Sequence, residues 1–203
     1  MSIDDDFADF MTVKYETQDM PEKSMNLSRT DRKTLIAATR KEILEDFLTR
    51  LPDDGETMHI VSNGKFDYYS FVKVVANRMG TVDKFYGSTW TMNRDNVRDL
   101  LERFDRGQIK QITIFTGTYF KRRETSVYAT VLNGLVERGQ RFLCFKNHAK
   151  VMLFEGNGAY YVCEGSANFT ANPRLEQNIL VRSKELYEFH QRWMEEMIKG
   201  GRG

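Results

Sequence analysis

The chain has 203 residues, of which 40% are hydrophobic, and this is enough to bury one good core. No apolar stretch approaches the ~18 residues of a membrane span, and no charged-then-apolar leader opens the chain. We therefore expect one domain, a cytoplasmic location and no insertion into a membrane. The two cysteines, Cys144 and Cys163, lie in apolar runs, which favours buried thiols over a disulfide framework.

The net charge of +1 hides a strong asymmetry along the chain. Residues 1–22 contain seven acidic side chains and one lysine, a net charge of −6, so residues 23–203 carry +7. We interpret residues 1–27 as an acidic and flexible arm on a single domain formed by residues 28–203. A basic body favours an anionic partner, although such a charge split also serves solubility alone.

Helix-like and strand-like segments alternate beyond the arm. Apolar residues at helical spacing predict a first helix over residues 30–51. Further segments with strand or helix patterns follow at 59–61, 66–78, 82–91, 93–106, 109–116, 126–138, 142–145, 177–181 and 184–198. This order predicts an α/β fold, an α/β/α sandwich around a mixed, largely parallel sheet, in which a hairpin supplies the antiparallel strands.

The ends of that hairpin carry the most informative polar residues. His148 and Lys150 are two residues apart, so in a strand both point to the same side, and Ser166 and Asn168 do so on the returning strand. The Gly-Asn-Gly turn at 156–158 allows the strands to pair. An imidazole, an ammonium, a hydroxyl and a carboxamide in one pocket suit a phosphodiester. The spacing alone fits equally a strand-end histidine, a solvated lysine and an ordinary turn.

The pattern resembles the HKD motif of the phospholipase D superfamily. The matching residues are His148-x-Lys150, Gly165-Ser166-x-Asn168-Phe169-Thr170 and Leu175-Glu176-Gln177-Asn178-Ile179-Leu180-Val181. Glu155 stands where the motif usually has its aspartate, a structural position in the family. The spacing from Glu155 to Gly165 is longer than usual, and the spacing from Asn168 to Glu176 is shorter.

The resemblance implies a phospholipase D-like fold and a covalent mechanism. By position, His148 attacks phosphorus, while Lys150 and Asn168 hold the phosphate oxygens. Ser166 hydrogen-bonds within the pocket, and Glu176 orients a histidine ring. No cofactor or metal is expected, since the sequence has no CxxC, HExxH or P-loop pattern.

The mechanism needs a second histidine to protonate the leaving oxygen. His59 and His190 lack the lysine and GSxN partners that mark the motif. Small single-motif nucleases of the superfamily meet this need by dimerising. The resemblance therefore implies a homodimer with one composite site.

Our leading hypothesis is a metal-independent phosphodiesterase, a nuclease that acts on DNA or RNA. Lys121, Arg122 and Arg123, which follow the aromatic pair at 119–120, form a candidate substrate-binding cluster. A solvated loop would explain this cluster equally well. Two alternatives remain open: a lipid phosphodiesterase, for which the sequence lacks an apolar interfacial loop, and a non-catalytic module that binds nucleic acid or protein.

Overall fold

The computed structural model describes residues 24–30, 33–39, 44–62, 64, 66–170 and 174–200. The strands are β1 (Ser24–Thr30), β2 (Lys33–Thr39), β3 (Thr57–Ser62), β4 (Lys84–Ser88), β5 (Ile112–Gly117), β6 (Arg141–Phe145), β7 (Val151–Gly156), β8 (Ala159–Gly165) and β9 (Glu176–Arg182). The helices are α1 (Leu44–Phe47), α2 (Ser70–Met79), α3 (Arg94–Asp105), α4 (Thr118–Arg123), α5 (Thr125–Glu137) and α6 (Lys184–Gly200).

All the strands belong to one mixed sheet with the order β2-β1-β3-β9-β8-β7-β4-β5-β6. The predicted α/β class and the mixed sheet are confirmed. The sheet is less parallel than the alternation of elements predicts. Only the neighbours β4-β5 and β5-β6 pair in parallel, and the other ladders of the described strands are antiparallel. The reason is that the hairpin inserts β7 and β8 into the middle of the sheet. From β4 through β7 and β8 to β9, each strand therefore runs opposite to its neighbour.

Helices cover both faces of the sheet, as an α/β/α sandwich requires. The alternating side chains of β7 show this: Met152 and Phe154 pack on the face covered by α2, α3 and α5, whereas Val151 and Leu153 pack on the face covered by α6. Because β7 is buried on both faces, its sequence is a continuous apolar run rather than an alternating one.

The helix predicted over residues 30–51 is wrong. Lys33–Thr39 forms β2, which pairs antiparallel with β1, and within the described part of residues 30–51 the helix covers Leu44–Phe47. Hydrogen bonds to the neighbouring strand determine this conformation. The spacing of apolar residues within one segment gives no information about such bonds. Residues 24–27 belong to β1 rather than to an irregular arm. The rest of the predicted arm, residues 1–23, lies outside the described residues.

The predicted hairpin is confirmed. Gly156 and Ala159 form its last pair, and the two residues between them have positive φ angles, 52° for Asn157 and 72° for Gly158. This is the backbone of the two-residue turn whose twist matches that of the strands. The hairpin therefore fixes the register in which Lys150 and Gly165 meet at its open end.

The open end of the hairpin lies at one edge of the sheet. Since β4, β5 and β8 run in the same direction and β7 and β9 run against them, the last residues of the first group meet the first residues of the second. Edges of this kind, where parallel strands end, are where open α/β sheets bind ligands. Among the described residues, no helix is long and apolar enough to cross a membrane.

Candidate active site

A buried asparagine holds the segment that carries His148. The Asn147 amide donates to Ser88 Oγ at 2.9 Å and to the Thr89 carbonyl at 3.4 Å, and its Oδ1 accepts from the Ala149 N–H at 3.0 Å. Ser88 Oγ in turn donates to the Ala149 carbonyl at 3.1 Å. These bonds tie the connection between β6 and β7 to the end of β4, so His148 stands exposed at the edge of the sheet.

The ammonium of Lys150 lies against His148. Its Nζ is 3.0 Å from Nδ1 and 3.2 Å from Nε2 of the ring, and it donates to the His148 carbonyl at 2.8 Å. An ammonium has no acceptor, so a ring nitrogen that pairs with it must carry a lone pair, which belongs to the neutral imidazole. Lys150 is only 9% exposed. Burial lowers the pKa of its amine, and the nearby Glu176 carboxylate opposes part of this shift.

Ser166 and Glu176 form the wall next to Lys150. The Ser166 hydroxyl donates to the Glu176 carboxylate and accepts from the Gln177 N–H at 3.0 Å. The Ser166 N–H donates to the Gln177 carbonyl at 2.9 Å, which extends the pairing of β8 and β9 beyond Gly165. Sequence reasoning assigns Glu176 to a histidine ring, but within the described part of the chain its hydrogen-bonded partner is Ser166.

Asn168 closes the site through a residue that sequence reasoning did not select. Its Oδ1 accepts from the backbone N–H of Trp90 at 3.3 Å. The Trp90 ring packs edge-to-face on the His148 ring, with centroids 5.6 Å apart. A Cβ at position 117 would approach Trp90 Cδ1 to 2.5 Å, so Gly117 is what lets the indole lie over the end of β5. Among the five residues predicted to form the site, His148 contacts Lys150 and Ser166 bonds Glu176, while Asn168 is linked to His148 through Trp90.

The predicted basic cluster belongs to α4 rather than to a loop. Arg123 donates to the Tyr119 hydroxyl, and its guanidinium carbon lies 5.5 Å from the centre of that ring. Tyr119 stacks on Trp90, with centroids 4.2 Å apart and planes 17° apart. Lys121 turns towards the ring of Tyr128, at 5.8 Å. Arg123 is therefore linked to the site through two aromatic rings, and Lys121 points elsewhere.

Glu155 lies at the far end of β7 from His148. Its carboxylate accepts from Lys84 Nζ at 3.1 Å and from the Tyr187 hydroxyl at 2.9 Å. Burial, together with this carboxylate, raises the pKa of Tyr187. Glu155 therefore connects β4, β7 and α6, which agrees with the structural role expected for it.

The other two histidines lie outside this site. His59 is in the middle of β3, opposite Ile179 of β9. His190 is buried on α6, where its Nε2 donates to Glu164 at 2.8 Å and its Nδ1 accepts from Trp193 at 3.1 Å. The hydrogen bond from His190 lowers the pKa of the Glu164 carboxyl group. With both ring nitrogens occupied, His190 has no lone pair or proton left for a substrate.

Trp90 and Asn147 are the contributors that sequence reasoning missed, whereas Tyr119 belongs to the aromatic pair noted beside the basic cluster. A usable signal did exist, because Trp90 follows the polar pair Ser88-Thr89 at the end of the strand predicted over residues 82–91. Polar or aromatic residues at strand ends are the positions where α/β sheets place their sites. Within the described ranges, no group of three or more His, Cys, Asp or Glu side chains is placed to hold a metal ion.

No protein-family model and no curated protein matches the sequence. Among solved structures, the chain is similar to the polyphosphate kinase of Porphyromonas gingivalis, with a TM-score of 0.56 and 13% identity over 75% of this chain and 28% of the kinase chain. It is also similar to the archaeal chromatin protein TrmBL2, with a TM-score of 0.49 and 10% identity over 70% of this chain and 52% of that one. The chain thus corresponds to only part of either protein. At this identity the likeness to the kinase shows the fold alone, a mixed α/β fold shared with part of that enzyme.

Proposed function

We propose that this protein is a metal-independent phosphodiesterase, a nuclease that works through a phosphohistidine intermediate. The observation that supports the proposal best is the pairing of an exposed imidazole, His148, with a buried ammonium, Lys150, at the ligand-binding edge of the sheet. The wider class of this proposal, chemistry at a phosphoryl group, agrees with the kinase that shares the fold.

The reaction has two displacements at phosphorus. A ring nitrogen of His148 attacks, the bond from phosphorus to the leaving oxygen breaks, and a second imidazole gives that oxygen its proton. The same imidazole then removes a proton from water, whose oxygen attacks phosphorus and breaks the P–N bond. Lys150 and the Asn168 amide group neutralise or donate to the non-bridging oxygens, where negative charge develops.

The second imidazole has to come from another molecule in this proposal. His59 lies in the middle of β3, and both ring nitrogens of His190 are already hydrogen-bonded, so neither is placed to give a proton to the leaving oxygen. A two-fold axis next to His148 would place two copies of it on opposite sides of one phosphorus atom. Closed two-fold dimers are the commonest homo-oligomers. We therefore propose a homodimer with one composite site.

Nucleic acid is the substrate class that the charges favour. Residues 23–203 carry a net charge of +7, and Arg123 is linked to the site through Tyr119 and Trp90. Phosphate backbones attract such a surface in a salt-dependent way. Burial of an acyl chain would instead call for an apolar surface beside the site.

The test incubates the purified protein with plasmid DNA, single-stranded DNA and single-stranded RNA in excess EDTA. We expect His148→Ala to lose at least ~10³-fold in cleavage rate, the scale seen when catalytic groups are removed, with an unchanged circular dichroism spectrum. His59→Ala is the matched control and should keep the wild-type rate per folded molecule. Cleavage by folded His148→Ala at the wild-type rate would remove His148 from the mechanism. Binding without any cleavage by the wild type would favour the non-catalytic module.

A further inference from the structure

Two stacked aromatic rings lie directly beside the proposed nucleophile. Trp90 contacts the His148 ring edge-to-face, and Tyr119 stacks on Trp90 with nearly parallel planes, 17° apart. The three rings form a continuous row from the site to the solvent. Neither Trp90 nor Tyr119 takes part in the phosphoryl chemistry proposed above, so the row needs another explanation.

Backbone hydrogen bonds and close packing hold the Trp90 end of the row in place. The Trp90 backbone donates to Asn168 and accepts from the Gly117 N–H at 3.3 Å. Its indole lies where a Cβ of residue 117 would otherwise be, as the 2.5 Å approach shows. Ring positions fixed before a ligand arrives lower the entropy cost of binding.

The outer ring is open to solvent. Tyr119 is 36% exposed, an unusual position for an aromatic side chain on a short helix beside a polar site. The Arg123 guanidinium bonds to its hydroxyl and lies 5.5 Å from its centre, farther than the 4.2 Å of the stacked indole. Arg123 therefore lies over the Tyr119 ring in a cation–π contact that is looser than the stack of Trp90, and it adds a positive charge next to the row.

We propose that the Trp90–Tyr119 row is a binding platform for an unpaired nucleobase of a single-stranded nucleic acid. The base stacks on the row while its neighbouring phosphate lies at His148, and Arg123 contacts a phosphate further along the strand. A stacked base must expose its face, which a base inside a duplex does not do, so the platform selects single strands. This inference rests on the proposed function, since it places a nucleotide at the same edge of the sheet.

The experiment measures the Kd of labelled oligonucleotides by fluorescence anisotropy, in the full-length His148→Ala background so that nothing is cut. The probes are a single-stranded DNA, an RNA of the same sequence, the matching duplex and a single strand with abasic residues. We expect Tyr119→Ala to raise the Kd for single strands by about 5- to 140-fold, the range measured for one base–aromatic stack. Tyr119→Phe keeps the ring and should stay within about twofold of the parent protein.

Two controls separate stacking from charge and from general damage. Phe189→Ala removes an aromatic ring that is 58% exposed on α6, away from the site, and should leave the Kd unchanged. Arg123→Gln should lower the slope of log Kd against log salt by about 0.7, the value for one phosphate contact on a single strand. Tyr119→Ala should leave that slope unchanged, because the tyrosine carries no charge.

Two results would overturn the platform: an unchanged Kd for single strands in Tyr119→Ala, or an equal loss for the abasic strand. Either result would leave the nuclease proposal standing if the wild-type protein still cuts DNA or RNA. If the folded wild type neither binds nor cuts any of the probes, the proposed function itself fails, and the platform fails with it.

Discussion

The Lys150 ammonium is bonded to His148 twice, through the backbone carbonyl at 2.8 Å and through the ring, whose nitrogens lie at 3.0 and 3.2 Å. The two side chains are therefore coupled, so a change in the charge of one changes the electrostatic potential at the other. Since Lys150 is buried and His148 is exposed, the imidazole faces solvent while the ammonium stays partly desolvated. Electrostatic interactions are stronger under these conditions than in bulk water.

Lys150→Met should lower the cleavage rate without loss of stability. We expect the cleavage rate to fall about 10²- to 10³-fold, as for the removal of one donor to a developing charge. Burial holds the pKa of Lys150 below its ordinary value of 10.5, so the unfolded chain binds this proton more tightly. Wild-type stability should therefore rise with pH between the lowered pKa and 10.5.

The stability part of that prediction is checked by thermal melts at pH 7 and pH 9.5. The melting temperature of Lys150→Met should equal or exceed that of the wild type at pH 7, and its advantage should shrink at pH 9.5. A mutant that melts well below the wild type at pH 7 would mean that the bonds to His148 outweigh the cost of burying the charge.

Gly165→Ala should destabilise the fold by about 1–3 kcal/mol, the usual cost of overpacking. A Cβ at this position would lie 2.2 Å from Asn178 Oδ1 and 2.9 Å from a ring carbon of Tyr68, both of which are buried. Urea unfolding measures the loss. Gly200→Ala is the matched control, because its Cβ meets nothing within 4 Å, and it should unfold at the wild-type urea concentration.

His190→Ala should lower the stability of the fold and leave the cleavage rate per folded molecule unchanged. The change leaves Glu164 and the Trp193 N–H without their partner, a loss of about 1–3 kcal/mol. Because the bond to His190 holds the pKa of Glu164 below its ordinary value of 4.5, its contribution is complete above pH 4.5 and is lost as the pH falls through the lowered pKa.

Unfolding free energies of wild type and His190→Ala between pH 7 and pH 3 check this prediction. The gap between the two proteins should narrow below pH 4.5. The cleavage rate per folded molecule should match the wild type at pH 7, and a loss as large as that of His148→Ala would place His190 in the chemistry.

Removal of divalent metal ions should not stop cleavage. In the proposed route the histidine is the nucleophile and Lys150 with Asn168 stabilises the developing charge, so no Lewis acid is needed. Activity is measured on the same substrate before and after dialysis against EDTA. Loss of activity in EDTA and its return with Mg²⁺ or Mn²⁺ would show that a metal ion carries part of the chemistry.

Subunit mixing tests the composite site. If each site needs two copies of His148, a dimer with one His148→Ala chain is inactive. With random exchange, activity per wild-type chain should fall to about half at a 1:1 ratio and about one tenth at a 1:9 ratio. Light scattering should give twice the 23.8 kDa mass of one chain. Full activity from a monomer would rule out the composite site.

The local features of this protein follow from its sequence. The turn at Asn157 and Gly158 forms because these residues accept positive φ angles. His148 and Lys150 lie in the connection just before β7, so hydrogen bonds of that connection, rather than strand alternation, hold them together. The strand and helix segments between residues 59 and 198 likewise appear close to their predicted places, since their periodicity and their breakers are local signals.

The tertiary structure alone decided which distant segments meet at the site. Trp90 and Tyr119 are far from His148 in the sequence. Trp90 contacts His148, and Tyr119 stacks on Trp90, because β4 and β5 end at the edge of the sheet where β7 begins. Strand order and direction depend on hydrogen bonds between segments that are remote in the chain. For the same reason, local spacing predicted a helix where β2 pairs with β1.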